Sequence, residues 1–536
     1  MQKNNATYRN IYTLVTLVCV LVSNQSYSQL YFSNANYYHS EIERYNLNSD
    51  LTTNHQKHLS VKPILDSKTN RDSIYYTSRK VYYTLTQKLF KENLIIFKGD
   101  DFWCSVDPIL DVELGKTIHG DSLSPKKYWN TRGIRVQARF FDNISFSTSV
   151  YETQIIVPEY QANYIDAHGE FRASGNTYKQ EYGYVPMYGR VKPFKGVGYD
   201  FAFAEGNLAI VASKNLNFQF GNGNQFIGDG YRSFFLSDFS GNYPFAKTEF
   251  FLFDGKLQYN LIYASLTNPY RLIKFSTPEP TFERKIGVFH HLDYSVTKNF
   301  NISLFEGSNW RSTDSLGTHK SDYLFLNPII GVNSLIKGTE SVGYNSVFGI
   351  GGSYTLKTNK LYGQILIDNS KLSAFQIGFK GYNLIIKNLD LRVEYNKAIQ
   401  NSYLSNQKRY NYSHNNLSLT HPLDNSFNEI VAILTYQNNG FFITNKTIFS
   451  SQYKNDSLNI GNNILQPKST IDLNTQTKSN IFYNQLELGY RFNKSYNLQL
   501  FGGYLYRKKN HSTNPTTTNY IYFGVRTKIR NKKLDW

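Results

Sequence analysis

The chain is poor in cysteine, methionine, acidic residues and long apolar runs. Only 2 of its 536 residues are cysteine, Cys19 and Cys104, and only 2 are methionine. Once residues 1–28 are removed, as argued below, Cys104 stands alone and no intramolecular disulfide can form. An exported chain of that length must then be stabilised by its fold, which closed strand pairing would do. Charged residues make up 18% of the chain, against roughly 25% in an average soluble protein. Mean hydropathy is −0.46, and past the N-terminal segment no run approaches the ~18 apolar residues of a membrane-spanning helix. A helical membrane protein is thereby excluded. A membrane β-barrel is not, because its alternating strands average out hydrophilic. GxSxG, HExxH, P-loop and CxxC motifs are absent, and the fragments Gly196/Gly198, Gly228/Gly230 and Gly349/Gly351 lack the third glycine and strand–helix setting of a dinucleotide site. The chain is read as a non-enzyme without a cofactor or a metal.

What the chain has in abundance is tyrosine (44) and phenylalanine (38), beside much Asn and Thr. That mixture favours strands and turns over coiled coils, α-solenoids and ordinary α/β enzymes. Residues 1–28 read as a secretory signal: Lys3 and Arg9 are followed by the apolar Ile11–Val22, and Ser26-Tyr27-Ser28 places cleavage after Ser28. Val18 before Cys19 argues against a lipoprotein signal. Lys+Arg number 58 against 40 Asp+Glu; loss of Lys3 and Arg9 leaves +16 (56 minus 40). Export disfavours nucleic acid as the partner of that charge. Outer-membrane lipid, lipopolysaccharide head groups or acidic surface polysaccharide suit it better, the alternative being charge spread over strands and rims with no ligand.

The remaining chain divides into an N-terminal plug or periplasmic segment, 29–100, and a barrel, 101–536. Between Arg79 and Asn93, Val81, Leu85 and Leu89 lie four apart with Tyr82 and Phe90 beside them. This predicts an amphipathic helix that plugs a lumen or docks beneath it. From Phe102 onward period-two alternation takes over. Ile134/Val136/Ala138/Phe140 turns at Asp142-Asn143 into Ile144/Phe146/Thr148/Val150, and Phe300/Ile302/Leu304 and Leu486/Leu488/Tyr490/Phe492 repeat the pattern. About 18 strands are expected. Tight turns alternate with long polar loops, Tyr and Phe crowd strand ends, and Trp536 resembles the closing aromatic of outer-membrane barrels, although Asn531, Lys532 and Lys533 interrupt the alternation. The expected fold is all-β: a transmembrane antiparallel β-barrel with a helix-containing N-terminal plug.

Few residues carry recognisable chemistry. His291 and Asp293 share a strand face beside His290 and read as a wet lumen pair before a metal site. Asp100-Asp101 read as turn acids. The segment Ile155–Gly196 carries Tyr160, Tyr164, Tyr178, Tyr182, Tyr184 and Tyr188, which suit sugar stacking or loop self-packing. Loops Asn396–Asn428 and Ser451–Asn480 are Asn/Ser-rich. Short Asp-Ser-Ile/Leu triplets at Asp72, Asp121, Asp314 and Asp456 resemble O-glycosylation acceptors of Bacteroidota.

The most distinctive stretch is Phe220–Phe250, FGNGNQFIGDGYRSFFLSDFSGNYPFAKTEF. Through Phe220-Gly221, Phe226, Gly228, Gly230, Leu236-Ser237 and Pro244 it resembles the core signature of the Wzi-like capsule-assembly family and, within it, gliding-motility barrels of Bacteroidota. Lys88–Gly115, with Asp107-Pro108, and Tyr520–Trp536 are similar to the same group. Ile227 stands where Wzi-like proteins tend to carry Trp. The resemblance implies an outer-membrane barrel exposed to surface polysaccharide or to motility-machinery proteins and adhesins. From the residues alone, Gly221, Gly228 and Gly230 give the backbone freedom for bends at a barrel rim. Tyr231 and Arg232 beside that bend are the candidate glycan contacts, by stacking and by charge-assisted hydrogen bonding.

Overall fold

Alternation of apolar and polar residues becomes strand wherever its period is two, and here it does so eighteen times. The computed structural model describes residues 36–48, 58–64, 82–119, 124–141, 143–174, 177–272, 281–314, 317–319, 322–369, 371–455, 458–471, 476–511, 515–527 and 530–536. The expected signal segment, Cys19 and the four Asp-Ser triplets lie wholly or partly outside them.

The barrel strands are β1 (Phe102–His119), β2 (Lys126–Phe140), β3 (Ile144–Ile156), β4 (Gly198–Ser213), β5 (Leu216–Gly223), β6 (Tyr243–Leu252), β7 (Leu257–Arg271), β8 (Phe282–Ser295) and β9 (Phe300–Asp314). They continue as β10 (Tyr344–Leu356), β11 (Asn359–Asp368), β12 (Lys371–Gly381), β13 (Leu389–Ala398), β14 (Phe427–Asn438), β15 (Phe441–Lys454), β16 (Thr477–Asn493), β17 (Leu498–Asn510) and β18 (Thr516–Thr527). Each pairs antiparallel with the next. β18 closes on β1, with Val525 opposite Val112 and Phe523 opposite Leu114. Closure pairs the first strand with the last over Asp111–His119, so the sheet has no free edge along that seam.

The two faces differ as an apolar surround requires. Leu114, Ile134, Val150, Ile377 and Phe523 point outward and are exposed. Their neighbours Thr131, Gln137, Ser149, Gln376 and Glu394 point inward and are buried. Among the described residues no helix is long and apolar enough to cross a membrane. One rim is made of short turns, such as 357–358 and 439–440. The other carries the long connections 157–197, 224–242, 315–343, 399–426 and 455–476.

Of the two placements expected for the amphipathic helix, plugging the lumen or docking beneath it, the structure shows docking. Within that segment the structure has α2 (Thr84–Phe90), none of whose residues is buried. It docks at the short-turn rim, where Asn493, Ser495 and Tyr496 side chains donate to the carbonyls of Lys88, Lys91 and Glu92. Val81 lies outside the described residues, and Leu85, the next residue of the expected apolar stripe, is exposed. Other segments occupy part of the lumen, beside a remaining cavity lined by inward residues such as Glu113, Thr131, Tyr483, Glu487 and Arg526. α1 (Asn36–Asn48) buries Ile42 and directs Glu43 at Lys380 (2.8 Å) and Tyr382 (2.7 Å) of the inner wall. Val61-Lys62 pairs with Phe226-Ile227. Finally, residues 530–536 turn back inside: the last strand ends at Thr527, and Trp536 is a buried interior residue rather than the closing aromatic of a strand.

The β1–β18 seam gives a direct test. A Cβ on Gly524 would lie 2.1 Å from the Val112 carbonyl oxygen, whereas one on Gly502 would meet nothing nearer than 3.5 Å. Gly524→Val is expected to abolish the heat-modifiable gel mobility that marks a closed barrel, and Gly502→Ala to retain it.

Candidate functional site

The long connection from β5 to β6 folds into the lumen, and a row of inward side chains holds it there. The row runs across four strands: Gln364 on β11, Gln376 on β12, Asn396 on β13 and Glu429 on β14 stand opposite one another in register. Gln364 accepts from the Phe234 N–H at 2.9 Å and Gln376 donates to the Arg232 carbonyl at 3.1 Å. One step along β13, Glu394 accepts from the Tyr231 and Arg232 N–H groups and from the Tyr362 hydroxyl. Buried backbone polar groups must be paired, and here the barrel wall does the pairing.

The motif residues from Phe226 to Ser237 are therefore internal, while Phe220 is exposed on the outer face of β5. Gly228 has φ +152°, and a Cβ there would sit 2.6 Å from the Gln364 amide; one on Gly230 would sit 2.5 Å from the Arg232 carbonyl. The chain bends against the wall at both points, which only glycine permits. Phe226 and Ile227 are buried against Lys62 and Val61, while Gly221 and Pro244 lie in β5 and β6, on strands that pair directly. Phe235 stacks on Phe305 at 4.9 Å.

Tyr231 and Arg232 are not rim residues free to meet a glycan. They are 4% and 2% exposed. Arg232 pairs with Glu429 at 3.1 Å and Asp535 at 2.9 Å, and the Tyr231 hydroxyl donates to Asp535 at 2.5 Å. Lys446 of β15 reaches the same carboxylate at 2.6 Å. Burial would raise the Asp535 carboxyl, but Arg232 and Lys446 outweigh it and hold it well below the usual carboxylate range. His421 donates Nε2–H to Glu429 at 2.7 Å while its Nδ1 accepts from Leu423 N–H. This tautomer fits a neutral ring, and burial lowers its pKa despite Glu429. Alongside, Lys533 pairs with Asp238 at 2.6 Å. The motif and the inturned tail are thus clamped together by one buried ion network.

The solvent-facing site lies elsewhere, on the long-loop rim. A cavity of ≈800 Å³ opens between the connections 157–197, 399–426 and 455–476 and the ends of β17 and β18. α3 (Glu159–Ala167) supplies Tyr160, Asn163 and Tyr164. The Arg507 guanidinium lies 4.4 Å over the Tyr160 ring and donates to the Trp536 carbonyl. Tyr164 packs on Trp536 at 4.3 Å and on His168 at 4.0 Å. Lys454, Lys509, Asn462, Asn463 and Thr517 complete the lining. Burial raises the Asp424 carboxyl to about 7 in this cavity, against the Ile464 N–H and Lys454, so the cationic lining is only partly offset near neutral pH. Aromatic faces with amides, hydroxyls and fixed cations suit a neutral or acidic sugar. Of the tyrosines in Ile155–Gly196, Tyr160 and Tyr164 line this cavity, while Tyr184 and Tyr188 are buried in self-packing. Arg507, Lys509 and Trp536 were not legible as site residues, because strand residues and a tail reach the cavity only through the fold.

The remaining candidates have structural partners. His291 and Asp293 face the lumen, where Asp293 pairs with His58 at 3.0 Å. His290 points outward to the Tyr259 hydroxyl at 2.6 Å. Asp100 and Asp101 are exposed in a turn. Among the described residues no group of three or more His, Cys, Asp or Glu could hold a metal.

No protein-family model and no curated protein sequence matches the chain. Solved structures do. Wzi of Escherichia coli, an outer-membrane protein involved in group 1 capsule assembly and a carbohydrate-binding β-barrel, aligns over 92% of this chain and 98% of its own, with TM-score 0.53 and 11% identity. The fold is that of a Wzi-like barrel. The Pseudomonas aeruginosa barrels OprD and OpdQ align over 79% of this chain and 94% and 96% of theirs, each with TM-score 0.40 and 10% identity.

Breaking one partner out of a buried ion pair typically costs about 3–5 kcal/mol. Arg232→Ala and Asp535→Asn are each expected to lower the unfolding midpoint strongly in detergent. Asp535 is ionised more readily in the folded chain, so its stabilisation is complete above the ordinary carboxylate pKa of about 3.9 and fades as pH falls through that value. The midpoint of the unsubstituted chain should therefore fall more steeply with acidification below that pH than that of Asp535→Asn.

Proposed function

We propose that this chain is a non-enzymatic outer-membrane barrel that binds surface polysaccharide at its long-loop rim and serves cell-surface gliding motility. The observation that carries the binding reading is the rim cavity, where Tyr160 and Tyr164 lie among Arg507, Lys454, Lys509 and a set of amides and hydroxyls. The outward apolar belt and the fold shared with an outer-membrane, carbohydrate-binding barrel support the location and the ligand class. Gliding rests on the Phe220–Phe250 signature. Its residues form the internal clamp, so the signature marks the scaffold and the rim loops carry recognition. Capsule anchoring of the Wzi type is the alternative use of the same site. The segments packed inside the barrel, α1, the motif connection and the inturned tail, favour binding over a passive channel.

Deleting the gene and scoring colony spreading and capsule retention separately distinguishes the two uses: gliding predicts lost spreading with capsule intact. For the site, binding of an acidic polysaccharide to the purified barrel is the readout. Tyr160→Ala should weaken it at every ionic strength, since stacking is hardly screened. Lys509→Gln should weaken it mainly at low salt, because screening acts over about 8–10 Å near physiological ionic strength. Unchanged affinity in both variants would remove the site assignment.

A further inference from the structure

The connection between β9 and β10 lies on the outer wall of the barrel. Tyr323–Leu326 form a 3₁₀ turn and Val332–Lys337 a short helix, α4. Leu324 and Phe325 pack over Leu261, Val288, Trp310 and Tyr344, outward-facing wall residues that are buried beneath them. On the same outward face, midway along their strands, His290 and Glu306 stand opposite each other. Glu306 is fully buried. Its carboxylate accepts from the Gly331 N–H at 2.6 Å, the Ser334 N–H at 3.3 Å and the Ser334 hydroxyl at 2.6 Å. Tyr259 and Tyr263 hydroxyls donate to the carbonyls of Pro328 (2.5 Å) and Leu326 (3.1 Å), and Ser346 donates to that of Thr339 (2.8 Å). Lys468, Ser405 and Asn406 tie Glu340 to the rim loops.

A carboxylate on the lipid face of a barrel and irregular backbone at membrane depth are each unfavourable alone. Together they satisfy one another, the Glu306 carboxylate and the Gly331 and Ser334 groups that bind it being turned inward. The opposite face of the segment is apolar: Leu335 and Val342 are 85% and 86% exposed, with Tyr323, Leu326, Ile329 and Ile336 also exposed. The exposed outward belt begins again close by, at Ile302 on the same strand as Glu306 and at Ile350 on β10, opposite Leu304. We propose that residues 323–342 form a strap embedded in the membrane, its inner face bound to the polar stripe of the wall and its outer face covered by lipid acyl chains.

The test uses the full chain carrying Leu335→Trp, reconstituted in phosphatidylcholine bilayers with and without bromine on the acyl chains. The emission added by the new tryptophan should be largely lost in brominated lipid and unaffected by aqueous iodide. Quenching by iodide but not by bromine would place the strap in water and overturn the proposal. Protection from both, with crosslinking between copies at residue 335, would replace lipid by a second copy and overturn it equally. Glu306→Leu provides an independent reading: the barrel should keep its unheated gel mobility while trypsin gains access to Lys337. Unchanged protection of Lys337 would show that the carboxylate does not hold the strap.

Discussion

Every polar group on the inner wall of a closed sheet must be satisfied inside the lumen, and an eighteen-strand barrel is too wide for its own side chains to do so across the middle. Arg232 resolves this constraint. Its guanidinium joins Glu429 of the wall to Asp535 of the inturned tail, and its backbone is held by Gln376 and Glu394. From that point the rest follows. Asp535 brings Tyr231 and Lys446 together, Lys533 draws in Asp238, and Trp536 is carried to the base of the rim cavity against Tyr164. The clamp fixes the floor on which the outward loops are built.

Such a clamp is a specificity device more than a source of net stability. Burying ions costs several kcal/mol each, and the mutual attraction roughly repays this. What it secures is register between segments far apart in sequence: residues 231–232, 394, 429, 446 and 535. The strap on the outer wall solves a related problem in an apolar setting. There Glu306 and a run of free backbone groups cancel one another, and the apolar side chains face outward.

The barrel was legible because period-two alternation is a local property. Ile134 through Val150 reads as a hairpin without knowledge of the rest, and eighteen strands closed on themselves follow from repetition and from the scarcity of any other core. The destination of the loops was not legible. A glycine-rich turn after a strand can rise above a rim or fold beneath it. The deciding residues, Gln364, Gln376, Asn396 and Glu429, look like any polar inward positions until they are aligned in register. Trp536 follows a strand in sequence and so resembles a strand end, yet the two cations and the acid before it are partners of Asp111, Asp238 and Arg232. One signal for the strap was present: the outward stripe Phe300, Ile302, Leu304 turns polar at Glu306 and Ser308. That break marks a wall covered by protein.

In the proposed reading, interior and rim divide the work, one supporting and the other recognising. The central claim is that the motif connection, α1 and the inturned tail close the lumen. Planar-bilayer recording of the purified full chain tests it most directly. The account predicts insertion without steady conductance, and conductance only when Arg232→Ala or Asp535→Asn releases the clamp. A stable open-channel current from the unsubstituted protein would contradict it.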